Sequence, residues 1–404
     1  MTRSEKIIWI FFAATSCQLA FLQPYVGLVA GERTNLFSGV LCFLTLIVAV
    51  VFRKKGAIRL KSPEFLISLA LLTLATVSAS LSLTPFSSAC RVFALLSSGL
   101  GGFWCARLLL NTPANQRLFE KLCLVLLAGM IGLCLTGYLL AGKIDFLLII
   151  HPHPLTNTMI LLSFAPLALL TGLSRPLKWL AILLLCLGYT VLCLSERTSM
   201  VIIPLGLLVL CGLLRTLRLK HVVLALIPGL LIIGYFSHQI LWYKLNKQYP
   251  AYRIENYPFS WSIAKRHPFF GIGLRAPRTE FLQDYQVEYK YSSKEQFAKD
   301  LAELMTPDNI FLTFIAEMGL PFTILYLAAV MVLLFKLMGM VLCPPPGLIF
   351  PPLALAFPLA VALVQYQLYD GLLFSQNSWF FHILLGLIPV GERKIAEQAA
   401  TIAA

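Results

Sequence analysis

The sequence predicts an all-α, polytopic membrane protein with about twelve transmembrane helices and one large extracytoplasmic loop containing short amphipathic helices. Three observations predict it. Hydrophobic residues make up 59% of the 404-residue chain and charged residues 12%, with a mean hydropathy of +0.83, a balance foreign to ordinary soluble domains. Apolar runs approaching the length of a bilayer span recur from end to end. Short basic loops separate them, and one long polar interval, 241–308, interrupts the pattern. The whole of 1–404 reads as a single transmembrane domain with that loop inserted between spans nine and ten.

In chain order, the first spans are expected at 7–29 and 37–51, followed by a basic turn with Arg53, Lys54 and Lys55. Met1 to Lys6 precedes the first apolar run with no small-residue cleavage site, which reads as a first transmembrane helix rather than a removed signal peptide. Spans at 65–83, 89–110 and 122–141 lead to an outer segment containing His151 and His153. Spans at 159–173, 179–194, 200–214 and 222–241 deliver the chain to the large loop, and spans at 309–334, 349–368 and 378–390 complete it. Alternating these spans puts the strongly basic short loops on the side of both termini. By the positive-inside rule that side is cytoplasmic, so the loop is periplasmic where the cell has an outer membrane. The same rule accounts for the net charge of +14 without a nucleic-acid partner.

Inside the loop, Tyr257 to Arg266 reads as a short amphipathic helix. Ser293-Lys294-Glu295-Gln296 resembles a capping box, with Phe297, Leu301, Leu304 and Met305 following at helical spacing. The ten cysteines sit almost entirely in apolar runs without metal-ligand spacing, so they read as small core residues. His151 and His153 lack a third ligand at suitable spacing, and a turn or a substrate-hydroxyl contact suits them better than a metal.

The polar groups that could carry chemistry crowd one face. Arg91 and Arg197 lie at outer ends of spans, and Arg253, Arg275 and Arg278 lie in the loop. Guanidinium is permanently charged and its fork matches phosphate oxygens, so such a group suits a diphosphate; the bland reading is snorkelling to lipid headgroups. Gly271-Ile272-Gly273 permits a tight turn with close backbone approach, and without a preceding strand it is no dinucleotide motif. Asp308 could take a proton from an acceptor hydroxyl, or cap the tenth span, or both. Glu317 points away from Asp308 at helical spacing and suits a tie between helices. Tyr366, Tyr369, Asp370 and Asn377 surround the last outer turn.

Four short motifs, in order, resemble the O-antigen ligase and O-antigen polymerase superfamily of membrane glycosyltransferases. They are His153-Pro154-Leu155-Thr156-Asn157, the Ser-x-Arg-x-Ser of Ser195 to Ser199, His267-Pro268-Phe269-Phe270-Gly271-Ile272-Gly273, and Asp308-Asn309-Ile310-Phe311-Leu312 through Glu317-Met318-Gly319. The resemblance implies an inverting transfer in the inner membrane, at a site facing the periplasm. A glycan would move from an undecaprenyl-diphosphate donor to an acceptor hydroxyl, without metal or nucleotide. It implies that Arg197 and a loop arginine, Arg253 or Arg275, grip the diphosphate, with Arg91 beside them. Asp308 stands where the family has a histidine base; it and Asn309 are the candidate catalytic pair. His153, Asn157, Ser195 and Glu317 would complete the substrate site. The acceptor implied is lipid A-core, as in a ligase; a polymerase with a lipid-linked acceptor is the alternative. A polysaccharide or lipid transporter without chemistry is the rival class, and it would place polar or broken helices at mid-membrane.

Overall fold

The structure is a computed structural model that describes residues 2–22, 32–52, 60–141, 152–172, 175–195, 249–287, 293–304, 309–344, 350–367 and 370–403. Among them there are helices and no strands. The α-helices are α1 (Arg3–Cys17), α2 (Glu32–Val51), α3 (Pro63–Ser80), α4 (Pro85–Leu109), α5 (Pro113–Ala141), α6 (Pro152–Leu162), α7 (Phe164–Gly172) and α8 (Arg175–Ser195). After them come α9 (Tyr249–Arg266), α10 (Lys294–Leu304), α11 (Ile310–Met318), α12 (Leu320–Leu342), α13 (Pro352–Gln365) and α14 (Ser375–Ala403). Four of these, α3, α4, α12 and the Pro113–Thr136 part of α5, are long and apolar enough to cross a membrane. Shorter apolar helices accompany them within α2, α6–α7, α8 and α13. The spans expected at 200–214 and 222–241 lie outside the described residues.

The helix starts follow local chemistry. Ser62 caps α3, its hydroxyl accepting from Phe65 N, and Pro63 and Pro85 occupy first helical positions where no N–H is needed. Thr2 and Glu5 form a reciprocal capping box at α1.

α4 is the buried axis, whereas α3 and α12 turn most of their surface outward. Its Ser97-Ser98-Gly99-Leu100-Gly101-Gly102 run lets backbones meet: a Cβ at Gly102 would strike the Trp379 carbonyl on α14. Small residues at such contacts are how helices associate where lipid tails remove the hydrophobic drive. The core is aromatic, with Phe12, Phe119, Phe164 and Trp379 all buried. The Trp9 and Trp379 indole N–H groups donate to Asn115 Oδ1 and Ser16 Oγ, both at 3.2 Å, so these large rings carry no unsatisfied donor.

Two expected spans are broken. The span expected at 159–173 divides at Ser163 into α6 and α7, because Pro166 has no N–H to offer the carbonyl four residues earlier. The span expected at 309–334 divides at Gly319 (φ 85°) into α11 and α12. The loop helix expected at Tyr257–Arg266 begins earlier, at Tyr249. α10 starts where Ser293 Oγ accepts from Gln296 N. α9 and α10 share a small core of their own, in which Phe259 and Phe297 meet edge to face at 5.7 Å.

Candidate functional site

The break at Gly319 builds the site. Pro321 lacks the N–H that would have bonded the Glu317 carbonyl in a continuous helix. That carbonyl instead accepts from Gly273 N (2.8 Å) and Ser78 Oγ (3.1 Å). The neighbouring pair is exchanged in the same way: Leu320 N donates to Pro268 O (2.8 Å), and Ala316 O accepts from Ile272 N (3.1 Å). The segment Pro268–Gly273 thus replaces one helical turn as hydrogen-bond partner of α11. The approach is possible only between glycines, since a Cβ on Gly271 (φ 64°) would overlap the Glu317 backbone and one on Gly319 the Phe269 carbonyl.

Around this junction the charges gather. The Glu317 carboxylate is fully buried, and its Oε1 accepts from Nε (3.0 Å) and Nη2 (2.6 Å) of Arg278, itself 3% exposed. Its Oε2 accepts from the Arg275 backbone N at 2.7 Å. On the other side of the same residue, Arg91 Nη1 from α4 donates to Arg275 O at 3.2 Å. Arg275 has φ 54°, a left-handed conformation that costs a non-glycine residue about 1–2 kcal/mol. Two charged side chains clamp its peptide groups and hold it there. Arg278 Nη1 donates to Ser260 Oγ (2.8 Å), and Ser260 and Asn256 extend the chain along α9 to the Tyr252 hydroxyl. Arg91, Arg275 and Arg278 thus gather around Glu317, and a second buried carboxylate, Glu255, immediately precedes Asn256 on α9. Arg91 and Arg275 are half-buried, whereas Arg278 and Glu317 are buried.

A second polar group lies at the N-terminal end of α11, one turn and more before Glu317. Asn309 caps this helix: its Oδ1 accepts from Phe311 N (3.1 Å) and Leu312 N (3.0 Å), and its Nδ2 donates to Gln367 O (3.1 Å). The cap expected of Asp308 therefore belongs to its neighbour, because Asn309 is the residue with extended φ/ψ one position before the first helical turn. One turn on, Thr313 Oγ1 donates to Asp370 Oδ1 at 2.9 Å. Thr158 Oγ1 of α6 donates to Asn377 Oδ1 of α14 at 2.8 Å, beside a fully buried Asn157.

Of the residues singled out from sequence, Arg91, Arg275 and Glu317 come together in the charged group. Asn309 and Asn157 belong to the second group. Arg253 falls early in α9, His153 in the first turn of α6, and Ser195 at the end of α8. Asp308 and Arg197 lie outside the described residues. Sequence reasoning missed the part played by Arg278 as the partner of Glu317, and with it Ser78 and Ser260. The one signal available was Tyr252, Asn256 and Ser260 spaced four apart on one helical face. Among the described residues no group of three or more His, Cys, Asp or Glu could hold a metal ion.

No curated protein matches the chain. Residues 181–327, from α8 through the loop into α12, match the family described as O-antigen ligase, and the matched segment contains Arg275, Arg278, Asn309 and Glu317. The chain thus carries an O-antigen ligase family domain within a helical membrane protein, which supports its place in the O-antigen ligase superfamily.

Proposed function

We propose that the chain is an O-antigen ligase-type glycosyltransferase of the inner membrane, working at its periplasmic face. It would move a glycan from undecaprenyl diphosphate to a hydroxyl of lipid A-core. The observation that carries this reading is the convergence of Arg91, Arg278 and Glu317 on the Arg275 turn. Glu317 fixes the loop through Arg278 and the Arg275 backbone, and we assign the half-buried guanidinium groups of Arg91 and Arg275 to the diphosphate. The donor is already activated, and the reaction asks little more of the protein than position and charge. The acceptor oxygen attacks the anomeric carbon from the face opposite the leaving group, with inversion, and gives its proton to a carboxylate, assigned to Asp308. The anomeric carbon–oxygen bond breaks, and its electron pair leaves with undecaprenyl diphosphate. The arginines stabilise that added negative charge where a metal ion would otherwise serve.

The hydroxyl- and amide-rich group at the N-terminal end of α11, with Asn309, Thr313, Asp370 and Asn377, has the chemistry to receive a neutral polyhydroxyl acceptor. Reconstitution in proteoliposomes with an undecaprenyl-diphosphate glycan tests the reading. Lipid A-core and a second lipid-linked glycan, offered in separate arms, separate ligase from polymerase. Arg275→Ala and Arg91→Ala are expected to lower transfer about 10²–10³-fold, the scale for removing one preorganised donor at a charge-developing site. Asp308→Ala is expected to abolish it. Undiminished transfer in Asp308→Ala removes the proposed base, and undiminished transfer in both arginine variants removes the diphosphate site.

A further inference from the structure

α12 alone, 23 residues and about 34 Å long, covers a hydrocarbon core of about 30 Å, so Leu320 marks the membrane surface on the loop's side. The turn Pro268–Gly273 is tied at that level. Leu320 N donates to Pro268 O, and a Cβ on Gly273 would strike Ser82 between α3 and α4. Phe269 lies inside this turn and is 68% exposed. At the same level Leu81, Leu83 and Phe86 project from the α3–α4 connection, Phe86 at 84% exposure. The apolar surface continues into the outward faces of α3 and α12, where Leu72 and Ile324 are exposed too.

The helix leading into the turn carries matching chemistry. On α9, Trp261 and Lys265 are exposed and four residues apart, hence on one face. His267 N donates to Ile263 O (2.9 Å) and Gly271 N to His267 O (3.1 Å). Helical winding therefore continues past Arg266 and brings Phe269, four residues further, onto that face. The inward face of α9, with Phe259 and Ile263, packs in the loop's own core, and the outward rings have no part in it. We propose that Trp261, Lys265 and Phe269 form a membrane anchor, which seats the loop in the headgroup region of the leaflet on its own side. Phenylalanine enters the acyl boundary, tryptophan lies at the headgroups, and lysine extends its ammonium to lipid phosphates. Continuity with α3 and α12 selects the partner: a patch that runs into lipid-facing helices and carries a cation fits a lipid surface with anionic headgroups. Anchored in this way, the Arg275 turn, six residues on from Phe269, is held near the depth of lipid phosphates. The anchor stands apart from the diphosphate reading and does not depend on it.

The test reads depth in the bilayer. Phe269 and Trp261 are each replaced by p-acetylphenylalanine, as are two exposed reference residues, Lys299 of α10 and Val332 of α12. A nitroxide is attached to the ketone, which leaves the native cysteines untouched. The full chain is then placed in liposomes of phosphatidylethanolamine and phosphatidylglycerol. Paramagnetic resonance compares collisions with oxygen, which concentrates in lipid, and with a water-soluble nickel chelate. The label at Phe269 is expected about 5–10 Å into the headgroup and acyl boundary, with Trp261 shallower, Val332 far deeper and Lys299 in water. The oxygen-to-chelate ratio at Phe269 and Trp261 is expected several-fold above that at Lys299. A ratio at either anchor position equal to that at Lys299 overturns the proposal. So does spectral broadening that grows with the protein-to-lipid ratio, because it would show the patch covered by a second copy of the chain.

Discussion

The two polar groups at the ends of α11 differ in kind. On the Glu317 side, ionised groups are buried, bonded to backbone and imposed on a strained residue, Arg275. On the Asn309 side the partners are neutral amides, hydroxyls and backbone groups, with Asp370 the carboxylate among them. The first arrangement stores charge against a rigid backbone and suits an anion. The second offers many weak, directional partners and suits a sugar. A transferase that joins a charged donor to a neutral acceptor needs both within reach of each other, and the two groups lie at opposite ends of one short helix.

Glu317→Ala should show the largest effect, because it leaves the buried Arg278 without its partner. A loss of about 3–5 kcal/mol is expected for breaking a buried pair from one side, read as a drop in Tm of the purified protein. A loss no larger than that of an exposed pair would mean that the charged group is not what holds the loop to α11. Thr158→Val removes one neutral hydrogen bond and leaves Asn377 Oδ1 buried; about 1–2 kcal/mol is expected, with undecaprenyl diphosphate affinity unchanged. A fall in that affinity would dissolve the division between donor and acceptor sides. Asn309→Ala should cost about 1 kcal/mol through the lost cap, seen as a lower midpoint in denaturant with the slope unaltered. The smallest effect belongs to the exposed Arg266–Asp284 pair (3.1 Å). A double-mutant cycle there should return less than about 1 kcal/mol, which sets the baseline for the Glu317 result.

Much of the helical layout was legible because spans are written in composition: the described helices at 32–51, 63–80, 85–109, 113–141 and 352–365 overlie the apolar runs. The break at Gly319 was also written there, as Gly319 followed by Pro321, yet a bare glycine-proline pair inside an apolar stretch does not say which backbone will take the freed carbonyls. The site was half visible. Arg91 and Arg275 could be picked out as arginines at the outer membrane surface, one at the end of a span and one in the loop. Nothing in their spacing, 184 residues apart, says that one donates to the other's carbonyl. Glu317 was read as a tie between helices, and its partner could not be named, because Arg278 looks like any other loop arginine until Ser260 and the carboxylate enclose it.

By itself the sequence determined the environment and the local turns: hydropathy fixes what lies in lipid, prolines and glycines fix where helices stop, and capping residues fix where they start. All of these act over a few residues, so each is encoded where it occurs. The tertiary structure alone decided which charges meet. That depends on helices distant in sequence packing at particular rotations, and a rotation of one helix by a single residue would carry Arg91 or Glu317 to a different neighbour.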